Sequence, residues 1–142
     1  MEEKLKSYIS RKQVKAAPMD EATAVEKGYA RKNVDGHEWR KGYHVQYTNP
    51  DGSTYDSWSP EDVFEESHMI AESVLDRLQI ELIELRERCD KIDKLFWKTL
   101  PEVIDKIGVV QTSYLLAQRQ LMGNYRDILA ERIRELKAKE QK

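Results

Sequence analysis

The sequence has only one cysteine and no long hydrophobic run. Cys89 has no second cysteine to pair with, which excludes an intramolecular disulfide and a thiolate metal cluster. No apolar run approaches the ~18 residues that a membrane span needs. The first residues, MEEKLKSYISRK, also lack the apolar core of a signal peptide. These absences predict a cytosolic protein without a membrane anchor.

A basic surplus and the common catalytic motifs are also missing. Lysine and arginine number 24 against 26 acidic residues, so the net charge is −2. This argues against a general DNA or RNA binder, which carries excess positive charge, and any phosphate site must be local. No P-loop, dinucleotide-binding or zinc-protease motif occurs, and the three histidines lack ligand spacing. We therefore predict no catalytic residue, no metal site and no cofactor.

The first half of the chain shows strand periodicity. Tyr43, Val45 and Tyr47 alternate with polar residues, a turn cluster follows at 49–53, and a second strand runs over 54–58. This pattern predicts a β-hairpin, followed by a helix with Ser59 as N-cap and Pro60 in its first position. A short edge strand is expected within 6–16, and a short helix from Asp20 to Gly28.

The second half predicts two long helices in an antiparallel hairpin, joined by the short segment PEVIDKIG. Apolar residues on the first helix recur at steps of four and three: Ala71, Leu75, Leu78, Leu82, Leu85, Cys89, Ile92 and Phe96. The stripe expected to be buried on the second helix consists of Leu115, Gln118, Met122, Tyr125, Leu129, Arg132 and Leu136. Whether the first helix runs unbroken from Pro60 or breaks near His68 stays open.

Two polar residues interrupt the stripe of the second helix. Gln118 and Arg132 stand where hydrocarbon is expected, and a buried guanidinium needs a partner. One interpretation is a pair of polar residues that fixes the register of a coiled coil. The other is the wall of a pocket for an anionic ligand. Periodicity alone does not choose between them.

Both long helices carry apolar residues outside these stripes: Val74, Ile80 and Ile83 on the first, and Tyr114, Leu121 and Ile128 on the second. A two-helix hairpin cannot cover them, so they predict self-association. Gly123 within the second helix is typical of a site where another backbone comes close. The overall prediction is an α+β protein, with a small β-rich domain at 1–67 and an oligomerising helical hairpin at 68–142.

Two parts of the sequence resemble known phage families. YISRKQVKAAPM, GYHVQY and YDSWSPEDVF resemble a small phage domain built on such a hairpin. LLAQRQLMGNYRDILAERI resembles the helical hairpin shared by phage anti-CBASS and Thoeris anti-defence proteins. In this order the two resemble the Thoeris anti-defence family, first type, and together the matches cover most of Tyr8 to Arg134. Residues 19–42 depart from that family, which usually has an aromatic-Arg-Gly-Trp element there; Arg31 is the nearest counterpart.

The resemblance implies a sponge, a protein that sequesters cyclic nucleotide immune signals without cleaving them. The implied ligands are glycocyclic ADP-ribose isomers made by TIR-domain enzymes, and in some members cyclic oligonucleotides. The implied assembly is a homodimer or hexamer in the cytoplasm of a phage-infected host. The ligand-binding residues expected on this basis are Arg132, Gln118, Tyr125, Arg119, Phe96, Trp97 and Arg31.

Two alternatives stay open at the level of sequence. One is a non-catalytic structural or regulatory helical oligomer, in which the polar residues of the stripe only set register. The other is a hydrolase of the same signals. We expect binding without catalysis.

Overall fold

A computed structural model describes residues 2–10 and 12–141. The chain divides into two compact units, residues 1–68 and residues 69–142. The first contains a small antiparallel sheet and the second contains long helices, so the predicted α+β class is confirmed. Among the described residues, no helix is both long and apolar enough to cross a membrane.

The N-terminal unit is built on a three-stranded antiparallel sheet in the order β1-β2-β3. Its elements are β1 (Lys15–Pro18), α1 (Glu21–Lys27), β2 (Gly42–Thr48), β3 (Thr54–Pro60) and α2 (Glu61–Ser67). The predicted hairpin is confirmed, with Tyr43 opposite Ser59 and Val45 opposite Ser57. Gly42 is required at the start of β2, because a β-carbon there would lie 2.3 Å from the carbonyl oxygen of Ser59. Val45 is almost fully buried.

Two sequence predictions in this unit were wrong in position. The edge strand forms only at Lys15–Pro18, while Tyr8 and Ile9 are almost fully exposed. The pairing with β2 covers only Lys15–Pro18, so these two residues have no partner strand and local composition misplaced the strand. Ser59 is paired in β3, and α2 begins at Glu61 without a side-chain cap. The short helix from Asp20 to Gly28 is confirmed, with Asp20 accepting from the Thr23 backbone N–H at 2.8 Å.

The second unit contains α3 (Val74–Leu95), α4 (Leu100–Ile107) and α5 (Val109–Glu140). The first helical segment therefore does break near His68. A capping box starts α3, since the Ser73 hydroxyl accepts from the Asp76 backbone N–H and the Asp76 carboxylate accepts from that of Ser73. Helices α3 and α5 pack antiparallel: Asp93 near the end of α3 meets Arg119 near the start of α5.

The core of this unit confirms the stripe predicted on α3. Its buried residues are Leu78, Leu82, Leu85, Cys89 and Ile92. The stripe of α5 that faces α3 starts at Thr112 and follows the same steps of three and four: Leu115, Arg119, Met122, Arg126, Leu129, Ile133 and Leu136. Leu129 is completely buried.

The predicted stripe on α5 was therefore half wrong. Leu115, Met122, Leu129 and Leu136 do face α3, but Gln118, Tyr125 and Arg132 are exposed. Arg119, Arg126 and Ile133 take the positions expected for them. A shift of one residue turns a side chain by about 100° around a helix, which moved these three predictions onto the neighbouring face. Arg132 is consequently not a buried cation.

Candidate functional site

The outward face of α5 carries an open groove of about 450 Å³, which we call the α5 groove. It is lined by Tyr114, Ala117, Gln118, Leu121, Met122 and Tyr125. The helical period produces it, since these residues lie three and four apart beside the stripe that faces α3. Its walls are almost entirely apolar, and the polar groups on its lining side chains are the Gln118 amide and the hydroxyls of Tyr114 and Tyr125. The groove can therefore hold an aromatic or aliphatic surface.

Large apolar side chains continue along this face. Tyr114 and Leu121 are more than two-thirds exposed, and Ile128 and Tyr125 are about half exposed. The predicted surplus of apolar residues is thus present, without a partner among the described residues. The Tyr125 hydroxyl donates to a carboxylate oxygen of Glu81 on α3, which fixes the direction of the ring. The Gln118 amide lies 3.6 Å from the sulfur of Met122.

Arg119 has an intramolecular partner. Its Nε and Nη2 donate to the two carboxylate oxygens of Asp93 at 2.7 and 3.1 Å, a bidentate pair. The contact lowers the pKa of Asp93 and raises the pKa of Arg119. Arg119 is about three-quarters buried by this packing. The structure thus uses Arg119 to join the two long helices, which sequence reasoning had not anticipated.

Gly123 gives this guanidinium room. A β-carbon there would meet only Nη1 of Arg119, at 3.1 Å. Leu121 lies two residues away, and so about 200° around the helix, on the side of the exposed apolar face. Within the chain the glycine faces the side of Arg119 and Asp93, and its link to self-association stays a prediction.

The six predicted ligand residues of the helical unit do not form one cluster within it. Gln118 and Tyr125 line the α5 groove together, and Arg132 is exposed two turns beyond Tyr125, about 10 Å along the axis. Gln118 and Arg132 are separated by about 21 Å on the same measure. Phe96 and Trp97 follow the C-terminal end of α3, about 22 Å along that helix from the Glu81 that binds Tyr125.

Arg31 belongs to the N-terminal unit, where it lines a second pocket of about 510 Å³. The centre of this pocket is Glu21, which is almost fully buried. Its carboxylate accepts from the Arg40 side chain at 3.0 and 3.3 Å, from the Arg40 backbone at 3.2 Å and from His37 Nε2 at 2.9 Å. The Arg40 guanidinium holds the pKa of Glu21 down at about 2, against the opposing effect of burial.

The loop over this pocket is held at a second point by His37. Its Nδ1 lies 2.5 Å from a carboxylate oxygen of Asp35, while its Nε2 faces Glu21. A protonated imidazole would donate from its two nitrogens to these two carboxylates. The bonds to Asp35 and then to Glu21 raise the pKa of His37. Sequence reasoning missed Glu21, Asp35 and His37, because Glu21 lies 16 residues from His37 and no local pattern joins them.

Comparisons with known proteins bear on the helical unit. Residues 72–135 match the family model described as Sequestin. This range covers α3 from just before its cap and α5 through most of its length, including the α5 groove. No curated protein and no solved structure matches the chain. The helical hairpin is therefore the part of the chain that is similar to a family whose name denotes sequestration.

Proposed function

We propose that the chain is a sponge, which binds a cyclic nucleotide immune signal and holds it without cleaving it. The observation that carries this proposal is the match of residues 72–135 to the Sequestin family model, over the helices that form the α5 groove. The motif resemblance to the Thoeris anti-defence family supplies the finer expectation. The ligand is then a glycocyclic ADP-ribose isomer or a cyclic oligonucleotide, bound in the cytoplasm of a phage-infected host.

The chemistry of the α5 groove suits part of such a ligand. The rings of Tyr114 and Tyr125 and the side chains of Leu121 and Met122 offer an apolar surface to a base. The Gln118 amide can both donate to and accept from the edge of a base or a ribose hydroxyl. Arg132, beyond the groove on the same face, forms no ion pair with any described residue and is available to a phosphate.

A second copy of the chain would complete this site. Protein pockets generally cover most of the surface of a small-molecule ligand. The α5 groove is open along one side, so it would leave part of a ligand uncovered. Tyr114, Leu121 and Ile128 present apolar surface next to the opening. A homodimer built on this face would cover these residues and wall the ligand, and further hairpin contacts would give a hexamer. Gln118 and Arg132 of one copy lie about 21 Å apart, too far to contact one small ligand together. A site that contains both residues would therefore take one from each of two copies.

Retention without cleavage is supported by the residues at the groove. Its six lining residues include no carboxylate, imidazole or thiol that would serve as a general base or nucleophile. Glu81 on α3, which accepts a hydrogen bond from the Tyr125 hydroxyl, is not among the lining residues.

The alternative is a structural or regulatory helical oligomer that binds no signal. The observation that favours it is the apolar character of the α5 groove, which a second helix would fill as well as a base would. In that case Gln118 only sets the register of the two helices.

The test is recovery of the ligand. The purified protein is incubated with a glycocyclic ADP-ribose isomer, freed of unbound ligand, and heat-denatured, and the supernatant is analysed by chromatography. A sponge returns the intact ligand, a structural oligomer returns none, and a hydrolase returns product. Gln118→Ala should reduce the amount retained, whereas Gln120→Ala, exposed on the same helix and outside the groove, should not. Equal retention by both variants would remove Gln118 from the site.

A further inference from the structure

The side chains that line the pocket of the N-terminal unit carry more positive than negative charge, whereas the whole chain is slightly acidic. The whole protein carries a net charge of −2. The side chains that line this pocket include the cations Arg31, Lys32 and Arg40, and His37 when it is protonated, against the two carboxylates of Glu21 and Asp35. The pocket is therefore a local positive site in an acidic protein, which is the arrangement that binds a small anion.

The cations of this pocket have two different tasks. Arg40 is held by Glu21, and its guanidinium carbon lies 5.4 Å from the centre of the Trp58 ring. Both carboxylates of the lining are already bound, since Glu21 contacts Arg40 and His37, and Asp35 contacts His37. Arg31 and Lys32 are exposed and have no ion pair with a described residue. Two cations therefore remain free at the pocket.

The pocket also has aromatic walls and a suitable size. Tyr29 and Trp58 line the pocket. The Tyr29 ring stacks on His44, and the Trp58 indole N–H donates to the Met19 carbonyl oxygen at 2.8 Å. Both rings are therefore held in place. Its volume of about 510 Å³ is in the range of pockets for small organic ligands. Fixed rings beside free cations are the features that recognise a planar ring joined to a phosphate.

We propose that this pocket is a second binding site, for a small phosphate monoester that carries a planar ring, such as a nucleoside monophosphate. Arg31 and Lys32 bind the phosphate, and the ring lies against Tyr29 or Trp58. Glu21 positions the site by holding Arg40 and His37 in place. The pocket belongs entirely to the N-terminal unit, outside the range of the Sequestin match, so the proposal does not depend on the function proposed for the helices.

The test uses adenosine 5′-monophosphate, adenosine and inorganic phosphate as probes of the full chain. Calorimetry at low salt should show binding of the monophosphate, weaker binding of adenosine and of phosphate, and a loss of affinity as salt is added. The double variant Arg31→Ala/Lys32→Ala should lower the affinity for the monophosphate by about tenfold or more, because two charge-assisted contacts are removed. Both residues are exposed and form no ion pair with a described residue, so this variant should keep its fold, which circular dichroism would verify.

The matched control is Lys12→Ala/Lys27→Ala, which removes the same charge from exposed sites of this unit outside the pocket. It should bind the monophosphate nearly normally. Arg132→Ala on α5 reports separately on any nucleotide bound by the helices. Backbone NMR shifts on addition of the monophosphate should concentrate in residues 29–40. The proposal is overturned if the wild type does not bind the monophosphate, if inorganic phosphate binds as tightly, or if both double variants lose affinity equally. A loss confined to Arg132→Ala would place the nucleotide on the helices instead.

Discussion

Arg132 and Arg119 lie about 140° apart around α5, and replacing each by alanine separates a binding role from a structural one. Arg132 is exposed and has no ion pair among the described residues, while Arg119 forms a bidentate pair with Asp93. The first should matter for the ligand and the second for the fold. Arg134, two residues from Arg132 and paired with Glu131 at the surface, is the matched control.

The expected magnitudes follow from these contacts. If Arg132 binds a ligand phosphate, Arg132→Ala removes a charge-assisted bond of about 1.5–3 kcal/mol, which corresponds to an affinity loss of about ten- to a hundredfold. Its effect on stability should stay within about 0.5 kcal/mol, because no packing or ion pair is lost. Arg119→Ala leaves Asp93 without its partner between α3 and α5, so it should lower the melting temperature.

The assay measures the melting temperature and the calorimetric affinity for a glycocyclic ADP-ribose isomer on the same preparations of wild type, Arg132→Ala, Arg119→Ala and Arg134→Ala. Arg134→Ala should leave both quantities nearly unchanged, since exposed ion pairs contribute little. Normal affinity in Arg132→Ala would refute its contact with a phosphate. A lowered melting temperature with normal affinity in that variant would mean that Arg132 has a structural role instead.

Three further predictions concern stability and assembly. Because the pKa of Glu21 is depressed to about 2, its contribution to the stability of the N-terminal unit should be present above pH ~4.5 and be lost as the pH falls toward 2. The raised pKa of His37 acts in the opposite direction, so its contribution should be complete below pH ~6.5 and disappear as the pH rises through that raised value. Glu21→Gln should weaken the acid limb, to which Asp20, Asp35 and Asp51 also contribute through their lowered pKa values, and a melting profile flat in pH would contradict both predictions. Leu129→Ala, at a fully buried site, should cost about 2–5 kcal/mol in chemical denaturation, and a loss below about 1 kcal/mol would contradict the core. Leu121→Glu with Ile128→Glu should give monomers by light scattering, and a wild type already monomeric at micromolar concentration would remove the reason for this change.

The helices illustrate how far sequence periodicity reaches. On α3 the buried positions are nearly all leucine or isoleucine, so only one stripe fits, and the structure has it. On α5 two stripes share Leu115, Met122, Leu129 and Leu136 and differ only in the residues between them. Deciding whether the stripe with Arg119 or the stripe with Arg132 faces α3 requires knowing that Asp93 on α3 contacts Arg119. That is a contact across 26 residues, which no local pattern contains.

The N-terminal unit shows the same limit. The alternation in 43–47, the turn at 49–53 and the cap at Asp20 are local signals, and each predicted its element correctly. Glu21 looks like an ordinary acid in the first turn of a short helix. It is buried because Arg40 and His37 return to it across a loop, and so the pocket on which Arg31 lies could not be predicted.

Gly123→Ala tests whether the glycine of α5 serves the chain or its assembly. Alanine should stabilise the helix by about 1 kcal/mol relative to glycine. The only neighbour of the new methyl group is Nη1 of Arg119, whose Nε and Nη2 make the bonds to Asp93, so a small shift of the guanidinium offsets part of this gain. We therefore expect an unchanged or slightly raised melting temperature. The dissociation constant of any oligomer, measured by analytical ultracentrifugation, should stay the same, because Leu121 and the exposed apolar face lie on the other side of the helix. A variant that folds normally but assembles more weakly would instead mean that a second backbone approaches α5 at Gly123.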